Sequence, residues 1–150
     1  MKATEILRQD HDRLKDLFAR LGATADVDQL QELFDELEEL LIVHTQIEEE
    51  LFYPAARAVN GLVEPVEEAI AEHDAVDALC DDLAETDVGG PLFHGRLKAL
   101  EDTLLHHLDE EENQIFPQVE RQWSESQLED LGRRLEERRT ELLEEELAGV

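Results

Sequence analysis

Two short stretches carry most of the chemistry in this chain. One runs from His44 through Glu48 to Pro54, the other from His107 through Glu111 to Pro117. In each, a Glu follows a His by four residues and a Pro follows that Glu by six. Residues four apart on an α-helix share a face, one turn apart. Each stretch therefore points an imidazole and a carboxylate the same way, which is how a helix presents ligands to a metal cation. Two further histidines, His11 and His73, fall inside apolar stripes.

Any one of these histidines taken singly is most simply a core residue with a hydrogen-bond partner. The four together point elsewhere, with one on each predicted helix and two of them paired with a Glu. A buried carboxylate costs several kcal/mol unless it is paired. The apolar stripes around it contain no Lys or Arg. Cations are the economical partner. The inventory is His11, His44, His73 and His107 with Glu48 and Glu111. Six ligands exceed what one tetrahedral zinc uses. They suit two cations bridged by carboxylates, about 3.5–4 Å apart. Imidazole and carboxylate donors favour iron or manganese over thiophilic metals. The Glu-x-x-His spacing of ferritin-like bundles does not occur here.

The elements that must position these residues all read as helices. Leu7, His11, Leu14, Phe18 and Leu21 form a stripe on a first helix over about Thr4 to Leu21, with Gly22 as its stop. Asp26 or Asp28 caps a second helix, with an inner face of Leu30, Leu33, Leu37, Leu40, His44, Ile47 and Leu51. Pro54 is expected to kink or end it. A third helix starts near Pro65 and turns Val66, Ile70, His73, Val76 or Asp77, Cys80 and Leu83 inward. A fourth opens at Pro91 and carries Phe93, Leu97, Leu100, Leu104, His107, Glu111 and Ile115, to end near Pro117. Ser124 and Gln127 form a capping box for a fifth helix with a seam of Leu128, Leu131, Leu135 and Leu142. No strand-like alternation occurs.

The halves repeat. His11 and His73 match at an offset of 62, and His44 and Glu48 match His107 and Glu111 at an offset of 63. Two helical hairpins related in this way predict an all-α, up-down-up-down four-helix bundle with an additional C-terminal helix. The domain division is 1–122 for the bundle and 123–150 for the helical extension. The seam on helix 125–147 suits either the bundle or a second copy in a homodimer.

Charge narrows the function. Lys and Arg total 13 against 40 Asp and Glu, for a net charge of −27. That surface repels phosphate backbones and anionic membranes, so neither nucleic acid nor membrane is expected as a partner. The single cysteine, Cys80, allows no intrachain disulfide and reads as a small buried hydrophobe. The N-terminus opens a helix with no signal-peptide core, and no stretch is long enough to span a membrane. The expected location is cytoplasmic, with no appended effector domain.

The series His, His-x-x-x-Glu, His, His-x-x-x-Glu, over roughly residues 4 to 120, resembles the hemerythrin-like, or HHE cation-binding, domains. That resemblance implies a non-heme di-iron centre, two iron ions bridged by Glu48 and Glu111. It also implies O2, H2O2 or NO as the small molecules that meet the irons. One departure stands out. Oxygen-carrying hemerythrins have a second His four residues after the third-helix His, and here that residue is Asp77. They also use a longer His-x-x-x-x-Asp spacing on the last helix, which His106 with Glu111 would restore, but the apolar period turns His107 inward. Asp77 is an additional candidate ligand, and reversible O2 carriage is not expected.

Asp10, Asp12 and Asp74 are candidates to orient ligand imidazoles. Tyr53 either points into the site or, the preferred reading, packs beside the Pro54 kink, and His94 and Trp123 are read as surface and structural residues. The leading function is defence against, or sensing of, peroxide or nitrosative stress, with catalase-like peroxide decomposition as the candidate enzyme activity. The alternatives are an iron-buffering module without redox turnover and a metal-free helical interaction protein.

Overall fold

The computed structural model describes residues 1–148. The elements are α1 (Ala3–Ala23), α2 (Val27–Ile47), α3 (Tyr53–Arg57), α4 (Val63–Ala84), α5 (Phe93–Glu110), α6 (Phe116–Gln122) and α7 (Glu125–Ala148). Two wide, π-helical turns, Glu48–Phe52 and Glu111–Ile115, join α2 to α3 and α5 to α6 end to end. The chain therefore makes five rods, and no strand occurs among the described residues. The first four form the expected bundle, with α1 against α2, α4 against α5 and α1 against α5.

Local chemistry explains where the rods begin. Asp26 Oδ1 accepts from the amides of Asp28 and Gln29, so α2 starts after it. Ser124 and Gln127 exchange side-chain and backbone bonds of 2.8 and 3.1 Å, the reciprocal box that opens α7. Gly61, at φ +86°, takes the left-handed turn between α3 and α4, which a residue with a Cβ resists.

Three expectations are corrected. Gly22 does not stop α1, which runs on to Ala23. Of the two outcomes expected at the prolines, a kink or an end, the end does not occur at Pro54 or Pro117, because each sits just after a wide turn. There the amide of Tyr53 bonds back to the Glu48 carbonyl, and that of Phe116 to the Glu111 carbonyl. The i→i+5 register takes up the ladder break that a Pro imposes. The buried face of α2 is Leu30, Phe34, Leu37, Leu41 and His44, while Leu33 and Leu40 are half-buried. Both sets fit the helical period, and packing selects between them.

Apolar side chains gather in two clusters. One holds Leu14, Phe18, Leu37, Leu41, Leu83, Phe93 and Leu104 among others. The other holds Leu7, Val43, Ile47, Phe52, Val66, Phe116 and, from α7, Leu131, Leu135 and Leu142. The seam of α7 thus lies on the chain's own bundle, where α7 packs against α1, α2 and the first wide turn. Residues 149–150 of the extension lie outside the described residues. No helix among the described residues is long and apolar enough to cross a membrane.

Candidate metal centre

Among the described residues nine buried ones are polar, and six of them are the predicted His11, His44, Glu48, His73, His107 and Glu111, each no more than 1% exposed. They fall into two sets of potential donors. One is His11, His44, Glu48 and Glu111; the other is Glu48, His73, His107 and Glu111. Within each set one ligand atom per residue lies within 4.8 Å of all the others. Both carboxylates belong to both sets. Shared carboxylates are the bridging arrangement of a two-cation site.

The inner edges of the rings face the carboxylates. His11 Nε2 is 3.2 Å from Glu111 Oε1, and His44 Nε2 is 3.0 Å from Glu48 Oε1. His73 Nε2 is 3.3 Å from Glu48 Oε1, and His107 Nε2 is 3.5 Å from Glu111 Oε2. Several of these atoms are nonetheless orphans. His11 Nε2, His44 Nε2, Glu48 Oε2 and Glu111 Oε1 are buried without a hydrogen bond. Buried polar atoms normally find partners. Four that converge on one place, all imidazole nitrogen or carboxylate oxygen, fit a pair of cations.

Outer partners hold the rings. His44 Nδ1 lies 2.8 Å from Asp10 Oδ2, and His107 Nδ1 lies 2.9 Å from Glu72 Oε1. A carboxylate accepts only, so a proton sits on Nδ1 and the Nε2 atom is turned inward. Glu112 and Glu49 stand 3.5 and 3.6 Å from the Nδ1 atoms of His11 and His73, too far for firm bonds. Of the expected orienting residues, Asp10 fills the role, while Asp12 and Asp74 are exposed. Glu72 was missed, although it precedes His73 as Asp10 precedes His11.

Tyr53 is also a site residue, the less favoured of its two expected placements. Its hydroxyl donates to Glu111 Oε2 at 2.5 Å and lies 3.1 Å from His73 Nε2 and 3.4 Å from His107 Nε2. An α-helix turns about 100° per residue, which would set Tyr53 about 140° away from Glu48. The wide turn brings it one turn above Glu48 instead. The residue at the matching place in the second half is Phe116, whose ring stacks on His11 at 5.6 Å.

Asp77 is the opposite case. It is exposed and belongs to neither donor set. The packing of this helix buries Val76, three residues beyond His73, and leaves Asp77, four beyond, at the surface. Of the two ways in which Asp77 was expected to work against O2 carriage, as an anionic ligand or as an open position, its exposure removes the first. His106 is exposed too and pairs with Glu110 at 2.9 Å, and with Glu72 it makes a third, surface group of potential ligands. His94 is exposed and Trp123 packs against Phe52, as expected.

Electrostatics show the strain of two carboxylates at close quarters. Burial opposes the charge on Glu48, but His44 and His73 outweigh it and hold that carboxyl well below its ordinary range. Burial and the Glu48 charge push Glu111 up. Burial works against a charged His44, yet Glu48 and Asp10 raise it to about 10. Burial and both carboxylates push Tyr53 well above the usual phenol range, so it stays protonated. A dication between the carboxylates removes their mutual repulsion.

The fold and site define a helical bundle with buried histidines and carboxylates grouped as cation ligands. Residues 2–119 match the Hemerythrin HHE cation binding domain, and the chain belongs to that family. The crystal structure of a hemerythrin HHE cation binding domain-containing protein from Mycobacterium kansasii superposes with a TM-score of 0.81. It is 31% identical, over 95% of this chain and 90% of that one. An uncharacterised protein of Mycobacterium tuberculosis, Rv2633c, is 30% identical over 78% of this chain and 71% of its own length. A DNA nickase of Nostoc is 27% identical over 86% of this chain, which spans 36% of that relative's length.

Proposed function

We propose that this chain holds two iron ions between Glu48 and Glu111, and that it protects against peroxide or nitrosative stress. The single observation that carries this reading is the sharing of both carboxylates by two otherwise separate histidine pairs. An iron pair supplies the redox chemistry that O2, H2O2 or NO requires. The chain's own part is to turn four Nε2 atoms inward, with the rings of His44 and His107 held from outside, to keep the site dry and to keep a proton at hand. Tyr53 holds that proton on its hydroxyl, against Glu111 Oε2 and between His73 and His107. Apolar clusters on both sides of the polar layer exclude water.

The test starts with protein purified without chelator. Elemental analysis should find two irons per chain, and the iron form should consume added H2O2. Protein without bound metal would sink the proposal.

A second reading has its own support. The cleft that touches His107 and Glu111, between Pro65, Glu72 and Gln114, has a volume of about 10 Å³. That is room for about one water. So narrow an approach suits an iron-buffering module that holds its metal without turnover. Bound iron that leaves peroxide and NO untouched would decide for it. The nicking of DNA named for the Nostoc relative is not carried over, because a net charge of −27 repels a phosphate backbone.

A further inference from the structure

We propose that Arg139 is a positioning residue for the cation that His11 and His44 hold, acting from the fifth rod through Asp10. Arg139 of α7 donates from Nη2 to Asp10 Oδ2 at 2.7 Å. The same oxygen lies 2.8 Å from His44 Nδ1. One carboxylate oxygen thus joins a ligand imidazole of the bundle to a helix that lies beyond the matched family residues, 2–119. This inference rests on the two-cation reading of the site.

The repeat makes the link informative. Asp10 and Glu72 stand at matching places in the two halves and serve His44 and His107 in the same way. Their own surroundings differ. Glu72 faces Glu110 and, at 3.9 Å, the exposed His106. Asp10 faces a guanidinium. The fifth rod covers only one end of the pseudo-symmetric site, so the two cation positions are unequal by construction.

Two consequences follow from the chemistry. A charge-assisted bond fixes the Asp10 carboxylate in one rotamer, and with it the His44 ring plane. The guanidinium also draws charge from Asp10, so His44 is a weaker electron donor than His107. Orientation governs affinity here, because without Arg139 the Asp10 carboxylate keeps only its bond to the ring it has to orient. Loss of Arg139 therefore weakens one cation position and spares the other.

α7 supplies its own control. Arg138, the preceding residue, ties the same helix to Glu50 of the first wide turn at 3.0 Å, pairs within α7 with Glu141 and Glu145, and does not touch Asp10. An effect that arises only from looser docking of α7 appears in Arg138→Gln as much as in Arg139→Gln.

The experiment titrates the full metal-free chain with Co2+, whose visible bands report the ligand set and whose paramagnetism shifts the ring N–H resonances of bound histidines. Outer-shell partners of ligand histidines typically change affinity about 10–100-fold, and Arg139 acts one bond further out, so Arg139→Gln should weaken one of two binding steps about three- to tenfold. One shifted N–H resonance should move with it. Arg139→Lys should recover most of the loss, and Arg138→Gln should leave both steps as they are. Equal weakening by Arg138→Gln and Arg139→Gln overturns the proposal, as does an Arg139→Gln chain with two unchanged steps. A wild-type chain that takes up no Co2+ overturns the two-cation reading beneath it, which is a different result.

Discussion

The Tyr53 hydroxyl donates a 2.5 Å hydrogen bond to Glu111 Oε2, and so closes the site from one half of the repeat onto the other. Tyr53 comes from the end of the first wide turn, and Glu111 opens the second. Tyr53→Phe should leave the metal content at two per chain. In the metal-free protein it should cost about 1–3 kcal/mol, because a buried carboxylate loses its donor. The metal-loaded form should lose less, since cations then satisfy Glu111. Denaturant unfolding of both forms makes the comparison. Equal losses would mean that the hydroxyl does not serve the ligand carboxylate.

Glu111→Gln should act with opposite signs on the two forms. It removes a charge that both donor sets share, so both cations should be lost together. The metal-linked stabilisation goes with them, about 4 kcal/mol at a metal concentration of a thousand times Kd. For a chain of this length each kcal/mol corresponds to about 2–4 °C in Tm. The metal-free variant should be as stable as the natural chain or more so, because the repulsion with Glu48 is gone. His11→Ala and His73→Ala should each lose one cation only. Metal retention by Glu111→Gln, measured by elemental analysis, would exclude the shared-carboxylate arrangement.

Burial pushes the Cys80 thiol up to about 12, with Glu38, Asp81 and Asp77 adding to the rise. Folded protein at pH 8 should therefore react with maleimide far more slowly than unfolded protein, since the thiolate is the nucleophile. The linkage has a definite sign. The folded state keeps the thiol proton that the unfolded state releases above about 8.5, so Cys80 removes stability as pH rises from there towards 12. Cys80→Ser should flatten that part of the stability–pH curve.

Gly132 and Gly95 should respond oppositely to alanine. Both lie within helices, where Gly→Ala ordinarily adds about 1 kcal/mol. A Cβ on Gly95 meets nothing within 4 Å, so Gly95→Ala should stabilise. A Cβ on Gly132 runs into the Met1 carbonyl oxygen and lies 3.1 Å from the Ala3 nitrogen. Gly132→Ala should therefore cost about 1–3 kcal/mol, as overpacking does. A stabilised Gly132→Ala would show that α7 does not press on the start of α1.

The sequence by itself determined the six inward residues, the helical class and the repeat. His11, His44, His73, His107, Glu48 and Glu111 were legible because each keeps step with apolar neighbours three and four residues away. That period is a local property of an α-helix. The capping box at Ser124 and Gln127 was legible for the same reason, since both its bonds close within one turn.

Other features required the folded chain. Tyr53 reaches the site only because a wide turn breaks the 3.6-residue period, and an α-helical projection sends it elsewhere. Asp77 failed as a ligand because its register from His73 had the right spacing but the wrong face in this packing. The choice of Phe34 and Leu41 over Leu33 and Leu40 depended on which helices lie against α2. Arg139 acts on Asp10 across 129 positions of sequence, a contact that no local period encodes. Local periodicity says which side of a helix is buried, and only the packing of distant helices says what each buried atom meets.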